Sequence, residues 1–101
     1  MRKKPLRMYD IIFSRAIDHE VTDAYLYYEE QQSGLGERFL DELDTCFHTI
    51  RAYPEHFQFK RKPFREFVAP KFPFVIIYEF DGDKIIVFSV FNTHKNPRRK
   101  P

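Results

Sequence analysis

The sequence predicts a single α+β domain of two layers, in the order β-α-α-β-β-β, with a helical hairpin packed on a small, curved, mostly antiparallel sheet. Two observations predict this class. The first half contains two consecutive segments with helical apolar spacing, and the second half contains short, nearly unbroken apolar segments between turn residues. A chain of 101 residues, 43% hydrophobic, has enough apolar material for one core. We expect one domain over 1–101, with loose termini at 1–7 and 97–101.

The first strand and the first helix are predicted from a change of period near residue 14. MYDIIFS (8–14) is short, β-branched and aromatic, which is typical of a strand, and Ser14 is a suitable helix N-cap. One helical face then carries the apolar residues Ile17, Val21, Ala24 and Tyr28. Gly34 predicts the end of this helix.

A second amphipathic helix follows almost at once and ends before Pro54. Its apolar stripe consists of Phe39, Leu43, Phe47 and Ile50. Because only a short GLG-containing link separates the two helices, the sequence predicts an αα-hairpin. The single cysteine, Cys46, lies beside the stripe and is interpreted as a small core residue.

Three further strands are predicted after Pro54. They are FREFVA (64–69), FVIIYEF (74–80) and KIIVFSVF (84–91), and the Asp-Gly pair in DGD (81–83) favours a tight hairpin between the last two. Such continuous apolar strands are usually central ones that helices cover.

Composition excludes several classes of protein. One cysteine permits no intrachain disulfide, and four scattered histidines do not suggest a metal site, so we expect neither metal nor cofactor. The chain has no apolar run long enough to span a membrane and no secretory signal, so we expect a cytoplasmic protein that does not bind membranes.

The charge is unevenly distributed. Residues 10–55 contain 11 acidic and three basic residues, a net charge of −8, whereas residues 56–101 contain ten basic and four acidic residues, a net charge of +6. Two interpretations stay open: the charges form solvated faces, or the basic half contacts a polyanion or an acidic peptide.

Cations are concentrated at the predicted strand ends. One group is Lys60, Arg61, Lys62 and Arg65, and another is Lys95, Arg98, Arg99 and Lys100. The topology of a three-stranded meander predicts that Lys71 and His94 lie close together, because the first and third strands end on the same side. Phosphodiester cleavage would need a proton carrier, for which His94 is the candidate, and cations, for which Lys95, Lys71 and Arg65 are candidates. The alternative is that these are ordinary solvated side chains.

Four segments in the same order match a known family. They are the strand ending at Phe13-Ser14 before a helix with Tyr27-Tyr28, GLGERFLDEL (34–43), Arg65 followed by KFPFVIIYEF (71–80), and VFNTHKNPRR (90–99). On these segments the chain resembles the RelE/ParE toxin superfamily of plasmid stabilisation proteins. The resemblance implies a bacterial toxin of a type II toxin–antitoxin pair, neutralised by an antitoxin segment that wraps it. RelE-like members cleave mRNA on the ribosome without metal, whereas ParE-like members act on DNA gyrase and are not nucleases.

Departures from the ribonuclease pattern favour the ParE-like branch. Val75 stands where ribonuclease members commonly have an arginine, and Asn92 stands where many relatives have a histidine. Three functions stay open: a toxin that binds a protein target such as DNA gyrase, a metal-independent mRNA endoribonuclease using His94, Lys95, Arg65 and Lys71, and an inactive antitoxin-binding module.

The resemblance and the charge asymmetry together predict a binding surface. We expect a small acidic or amphipathic antitoxin to dock along the exposed sheet edge and a basic groove. The residues expected to contact partner or target are Lys62, Arg65, Lys71, Asn92, His94, Lys95, Arg98 and Arg99. DNA contact is expected only through the antitoxin, and the exposed edge strand would favour dimers in its absence.

Overall fold

The computed structural model describes residues 7–93. Within this range the elements are β1 Asp10–Phe13, α1 Ala16–Gln31, α2 Leu35–Ala52, β2 Phe59–Arg61, β3 Phe64–Val68, β4 Phe74–Phe80 and β5 Lys84–Asn92. The predicted α+β class and the helical hairpin on a sheet are confirmed, and β2 is one strand more than the sequence predicted. Of the predicted loose termini, only Arg7 lies within the described residues, with its guanidinium 4.4 Å from the centre of the Tyr9 ring.

The five strands form one mixed sheet in the order β1-β5-β4-β3-β2. Strands β2 to β5 are antiparallel neighbours because short turns join them, whereas β1 pairs parallel to β5 after the helical hairpin has crossed back. The turn between β4 and β5 is tight. Gly82 adopts a φ of 95°, and the Asp81 carboxylate accepts the backbone N–H groups of Asp83 and Lys84, each at 2.9 Å.

The start of α1 differs from the prediction. The N-cap is Arg15, one residue later than expected, and no side chain caps the helix. Ser14 does not cap α1 because its hydroxyl donates to the carbonyl oxygen of Phe88 at 3.0 Å, while its N–H donates to that of Val87 at 2.9 Å. Ser14 therefore continues the pairing of β1 with β5.

The link between the helices is stabilised by Glu29. Its carboxylate accepts the backbone N–H of Gly34 at 3.0 Å and that of Gly36 at 3.0 Å. Gly34 has a φ of 89°, a left-handed conformation that favours glycine. Gly36 is required for a different reason: a Cβ at this position would lie 2.7 Å from Cε1 of Tyr25. The GLG motif therefore allows both the turn and the close approach of the helices.

The main core lies between the helical hairpin and one face of the sheet. The predicted helical stripes provide Ile17, Ala24 and Tyr28 from α1 and Phe39, Leu43 and Ile50 from α2, and Cys46 beside the second stripe is also buried. The sheet provides Phe67, Phe74, Ile76, Tyr78, Ile85, Val87 and Val90. Neither helix in residues 7–93 combines the length and hydrophobicity that crossing a membrane requires.

Candidate functional site on the open face of the sheet

The side of the sheet away from the helices, here called the open face, also carries apolar residues. Val75, Ile77 and Phe91 form a second buried cluster, against which Phe64 packs. Val75 is only 3% exposed, although α1 and α2 both pack on the other side of the sheet. Val68, the ladder partner of Val75 on β3, is 65% exposed. The cluster itself is therefore buried, and next to it on this face the exposed apolar side chain is that of Val68, with Phe64 partly exposed.

A β-bulge in β5 shapes the open face. Ile77 pairs with Ser89, but the next residue of β4, Tyr78, pairs with Val87, so that Phe88 has no partner across the ladder. The extra residue shifts the alternation of β5. Val87 and Val90 both face the helices, while Phe88 and Ser89, although adjacent in sequence, line the same groove on the open face.

This open-face groove has a volume of about 750 Å³ and is lined by Lys60, Arg61, Phe64, Ile77, Phe88 and Ser89. The rings of Phe64 and Phe88 meet edge to face with their centroids 5.3 Å apart. The cations of β2 form one side of the groove, and the bulged part of β5 forms the other. The groove thus combines an aromatic floor with a basic rim.

Arg65 was predicted to be a site residue, but its side chain belongs to the helix face. It alternates with Phe67 along β3, and its Nη1 donates to the carbonyl oxygens of Phe57 at 2.7 Å and Glu55 at 3.3 Å. Its Cζ also lies 4.0 Å from the centre of the Phe59 ring. Arg65 thereby holds the segment that links α2 to β2.

Lys71 lies at the other end of the sheet, in the exposed loop between β3 and β4. The end of β5 is next to this loop, because both the N–H and the hydroxyl of Thr93 donate to the carbonyl oxygen of Pro73, at 2.8 and 2.9 Å. The chain therefore leaves the sheet beside the Lys71 loop. The remaining predicted site residues of this group, His94, Lys95, Arg98 and Arg99, lie outside the described residues.

The structure does not bring Arg65 and Lys71 together. Arg65 pairs with Tyr78 on β4. Asn92, at the end of β5 next to the Lys71 loop, pairs with Phe74, which lies four residues before Tyr78. Four residues correspond to about 13 Å along a strand. Lys62 lies at the Arg65 end, where its Nζ is 5.2 Å from the Phe59 ring centre.

Asn92 is not available on the surface. It is only 7% exposed and lies beside Tyr28 of α1. Burial raises the pKa of Tyr28, and the neighbouring Asn92 side chain partly opposes that shift. Contact between a partner and the Asn92 side chain would therefore require movement of the surrounding core.

Lys71 lines a second, more polar groove of about 430 Å³, together with Arg38, Asp41 and Glu42. Glu42 is largely buried, and the Cys46 thiol donates to its carboxylate at 3.9 Å. Burial, reinforced by the Glu42 charge, raises the pKa of Cys46 to about 12. The thiol therefore stays protonated near neutral pH, which agrees with the interpretation of Cys46 as a core residue.

Sequence reasoning missed most of the open-face groove. Lys60 and Arg61 were grouped with other cations but not assigned to the site, and Phe64 and Phe88 were interpreted only as strand residues. The bulge has no clear sequence signal within an apolar run. Among residues 7–93, no group of three or more His, Cys, Asp or Glu side chains is arranged to hold a metal ion.

Comparison with known proteins identifies the family. Residues 11–97 match the family model described as the ParE toxin of the type II toxin–antitoxin system parDE. The fold is similar to a solved chain of the chromosomal ParDE toxin–antitoxin system from P. aeruginosa, with a TM-score of 0.73 and 10% identity over 84% of this chain and 96% of that chain. A search of curated protein sequences found no significant match. The match to the family model covers most of the chain, and the chain therefore belongs to the ParE toxin family of type II toxin–antitoxin systems.

Proposed function

We propose that this toxin acts by binding a protein target, with DNA gyrase as the first candidate, and that a small cognate antitoxin neutralises it. The observation that carries this proposal is the position of Val75. Ribonucleases of the superfamily commonly have an arginine there, whereas here a valine lies in an apolar cluster with Ile77 and Phe91. A buried valine offers no charge to a developing phosphate oxyanion, which disfavours cleavage and supports action through binding.

The placement of Arg65 supports the same proposal. A cation that stabilises a phosphoryl transition state must reach the reacting phosphate. The Arg65 guanidinium lies on the helix face and already donates to the carbonyls of Phe57 and Glu55. Reaching the Val75 side of the sheet would require Arg65 to leave these bonds and pass its own strand. We therefore assign Arg65 a structural role.

Neutralisation by an antitoxin is proposed from family membership and from charge. The half of the chain that forms β2 to β5 is basic, with a net charge of +6 over residues 56–101. An acidic, disordered antitoxin segment would be attracted by this charge and would fold onto the open face. The toxin and its antitoxin would meet in the cytoplasm.

A supercoiling assay tests the protein-target proposal. Purified protein at micromolar concentration is added to DNA gyrase and relaxed plasmid, with and without the antitoxin encoded beside the toxin gene. The proposal predicts inhibited supercoiling and relief by a stoichiometric amount of antitoxin. Full supercoiling in the presence of the toxin would contradict gyrase as the target.

The alternative is a ribosome-dependent endoribonuclease, and one observation favours it. The Thr93–Pro73 hydrogen bonds bring the chain end that precedes His94 and Lys95 next to the Lys71 loop. Primer extension on mRNA from cells that express the protein distinguishes the two functions. New cleavage ends that disappear in a His94→Ala, Lys95→Ala variant would establish the nuclease. Lack of growth arrest by the unaltered protein would instead favour an inactive antitoxin-binding module.

A further inference from the structure

We propose that the outer edge of β1 is a self-association site, along which a second copy of this chain pairs antiparallel about a two-fold axis at Ile12. Such a dimer involves neither the antitoxin nor the target, and it uses one edge of the sheet in one register. Three features of this edge favour it: unprotected backbone groups, a groove that fits an aromatic ring of the second copy, and opposite charges at the two ends of the strand.

The two edges of the sheet differ in how well they are protected. β2 forms one edge and carries a bulge and two exposed cations, Lys60 and Arg61. Charges and bulges are devices by which proteins prevent their sheet edges from associating. β1 forms the other edge and has a single charged residue, Asp10, while Ile12 and Phe13 are 48% and 49% exposed. The unprotected edge of the sheet is therefore β1.

The backbone groups of Ile11 and Phe13 point away from the sheet. The N–H of Ser14 donates to the carbonyl oxygen of Val87 on β5 at 2.9 Å. Because backbone groups alternate in direction along a strand, those of Ile12 also face β5, whereas those of Ile11 and Phe13 face outward. No backbone hydrogen bond joins Ile11 or Phe13 to another described residue on that outer side.

Arg51 of α2 limits the length of this free edge. Its Nε donates to the carbonyl oxygen of Tyr9 at 2.7 Å, and the Tyr9 N–H donates to the Arg51 carbonyl oxygen at 3.2 Å. Tyr9 is the next outward-facing residue before Ile11, so its backbone groups are already occupied. The free edge therefore offers two donors and two acceptors, all from Ile11 and Phe13.

These four groups select one antiparallel register. When Ile11 of each copy faces Phe13 of the other, all four groups of each copy are used and four hydrogen bonds cross the interface. A register centred on Ile11 or on Phe13 would form only two of them, because Tyr9 is occupied. The selected register places the two Ile12 residues opposite each other on the axis, with their Cα atoms about 4.5 Å apart. The interface is then the same surface on both copies, as a two-fold dimer requires.

A groove beside β1 fits the Phe13 ring of the second copy. The groove has a volume of about 360 Å³ and is lined by Asp10, Ile11, Phe13, Asp44, Phe47 and Arg51. Ile11 packs against the main core, and the Phe13 and Phe47 ring centroids are 5.2 Å apart, so both strand residues lie on the helix face. Residues that pair across a ladder share a face, so Phe13 of the second copy, opposite Ile11, would enter this groove. Each copy thus supplies the ring that covers the groove of the other.

The charges at the two ends of β1 favour a second copy as the occupant. Asp10 begins the strand and Arg15 follows it, both are exposed, and neither forms an ion pair with another residue in 7–93. Antiparallel pairing brings the Arg15 end of one copy to the Asp10 end of the other, whereas parallel pairing would bring like charges together. A strand from an acidic antitoxin would instead meet the carboxylates of Asp10 and Asp44 along this edge.

The symmetry of the dimer determines where its surfaces lie. A two-fold axis between antiparallel edge strands runs perpendicular to the sheet, so the two five-stranded sheets become one continuous sheet of ten strands. Both helical hairpins then lie on one side and both open faces on the other. The dimer therefore presents two open faces to a single partner.

Sedimentation of the purified full chain without antitoxin tests for the dimer. We expect a mass twice the 12.3 kDa of one chain at micromolar concentrations. Ile12→Lys places two like charges opposite each other on the axis and should weaken dimerisation at least about 10-fold. The matched control is Val68→Lys, at a 65% exposed position on β3, which should stay within about 3-fold of the unaltered protein. Thermal melting should show that both variants remain folded, since both positions are exposed.

Two further variants test the register. A Cα separation of about 4.5 Å lies within the range that a disulfide spans, so Ile12→Cys should form a disulfide between copies on mild oxidation. Val68→Cys should not, and the native Cys46 is only 2% exposed and should not compete. Asp10→Arg should weaken dimerisation by about 3-fold or more, and Asp10→Arg combined with Arg15→Asp should restore it.

Several results would overturn the inference. A monomer at every concentration would exclude the dimer, and dimerisation that Ile12→Lys leaves unchanged would place the contact elsewhere. Disulfide formation by Val68→Cys as readily as by Ile12→Cys would refute the register. A monomeric protein whose affinity for the antitoxin falls in Ile12→Lys would assign the edge to the antitoxin. The supercoiling assay measures the proposed function separately, so failure of either proposal can be recognised without the other.

Discussion

Arg65 and Tyr78 lie opposite each other on β3 and β4 and bind the same connecting segment from the sheet. Arg65 donates to the carbonyl oxygen of Phe57, and the Tyr78 hydroxyl donates to that of Pro54, both at 2.7 Å. Burial raises the pKa of Tyr78, so the phenol remains a donor at all ordinary pH values. These two bonds attach the exit of α2 to the sheet and fix the start of β2.

Tyr78→Phe should destabilise the fold. The substitution keeps the ring but leaves the Pro54 carbonyl without its partner in the core, which costs about 1–3 kcal/mol for a buried acceptor. Urea denaturation followed by circular dichroism measures the loss. Tyr53→Phe is the control, because the Tyr53 hydroxyl forms no hydrogen bond with a described residue, and its effect should remain within about 0.5 kcal/mol. Equal stability of Tyr78→Phe and the unaltered protein would contradict the proposed role of the bond.

Arg65→Ala should loosen the segment from Glu55 to Arg61 without unfolding the central strands. The expected readout is faster amide hydrogen exchange in this segment, with exchange in β4 and β5 nearly unchanged. Lys62→Ala is the matched control, because Lys62 lies over the Phe59 ring but makes no hydrogen bond to the segment. If Arg65 were instead catalytic, Arg65→Ala would abolish toxicity while leaving this exchange pattern unchanged.

Gly36→Ala should separate the two helices of the hairpin. The added methyl would lie 2.7 Å from the Tyr25 ring, and overpacking of this kind costs about 1–3 kcal/mol. In a Tyr25→Ala background the same change should cost less, because the ring that it meets is gone. Denaturant melts of the four proteins in this cycle provide the comparison. Equal costs in the two backgrounds would show that the close approach does not limit position 36.

Asp81 should contribute to the acid sensitivity of the fold. Backbone and side-chain hydrogen bonds from Lys84, with the N–H of Asp83, lower the pKa of Asp81 to about 2. In the unfolded chain the pKa returns to about 3.9. Since the folded value is lower, the stabilisation is present above about pH 4 and is lost as the pH falls toward 2.

Melting temperatures from pH 5 to pH 2 test this contribution. Asp81→Asn should show a shallower fall than the unaltered protein, because the group that titrates is removed. The control is Asp41→Asn, since the Asp41 carboxylate accepts no hydrogen bond from a described residue. Parallel curves for Asp81→Asn and the unaltered protein would refute the role of Asp81.

The helices and the central strands could be predicted because local signals agreed with the tertiary structure. Ile17, Ala24 and Tyr28 were placed on one face by spacing alone, and all three are buried. The Asp-Gly pair correctly predicted the hairpin between β4 and β5. In contrast, β2 has three exposed residues and no buried face, so a hydrophobic pattern could not reveal it.

The site was harder to predict because it depends on which face of the sheet each residue occupies. Arg65 and Phe67 are two residues apart and share a face, so alternation alone would have placed Arg65 toward the helices. The bulge at Phe88 has the opposite effect, since it breaks the alternation that assigns residues to faces. Because the bulge shifts the alternation of β5, the side chain of Asn92 lies in the core, where a protein that binds the surface would not contact it.

The most direct test of binding rather than cleavage follows plasmid topology in bacteria after induction of the toxin. Chloroquine gels should show relaxation of a reporter plasmid, and this effect should persist in a His94→Ala, Lys95→Ala variant while primer extension shows intact mRNA. Unchanged topoisomers together with new mRNA ends that require His94 and Lys95 would contradict the account and establish a nuclease instead.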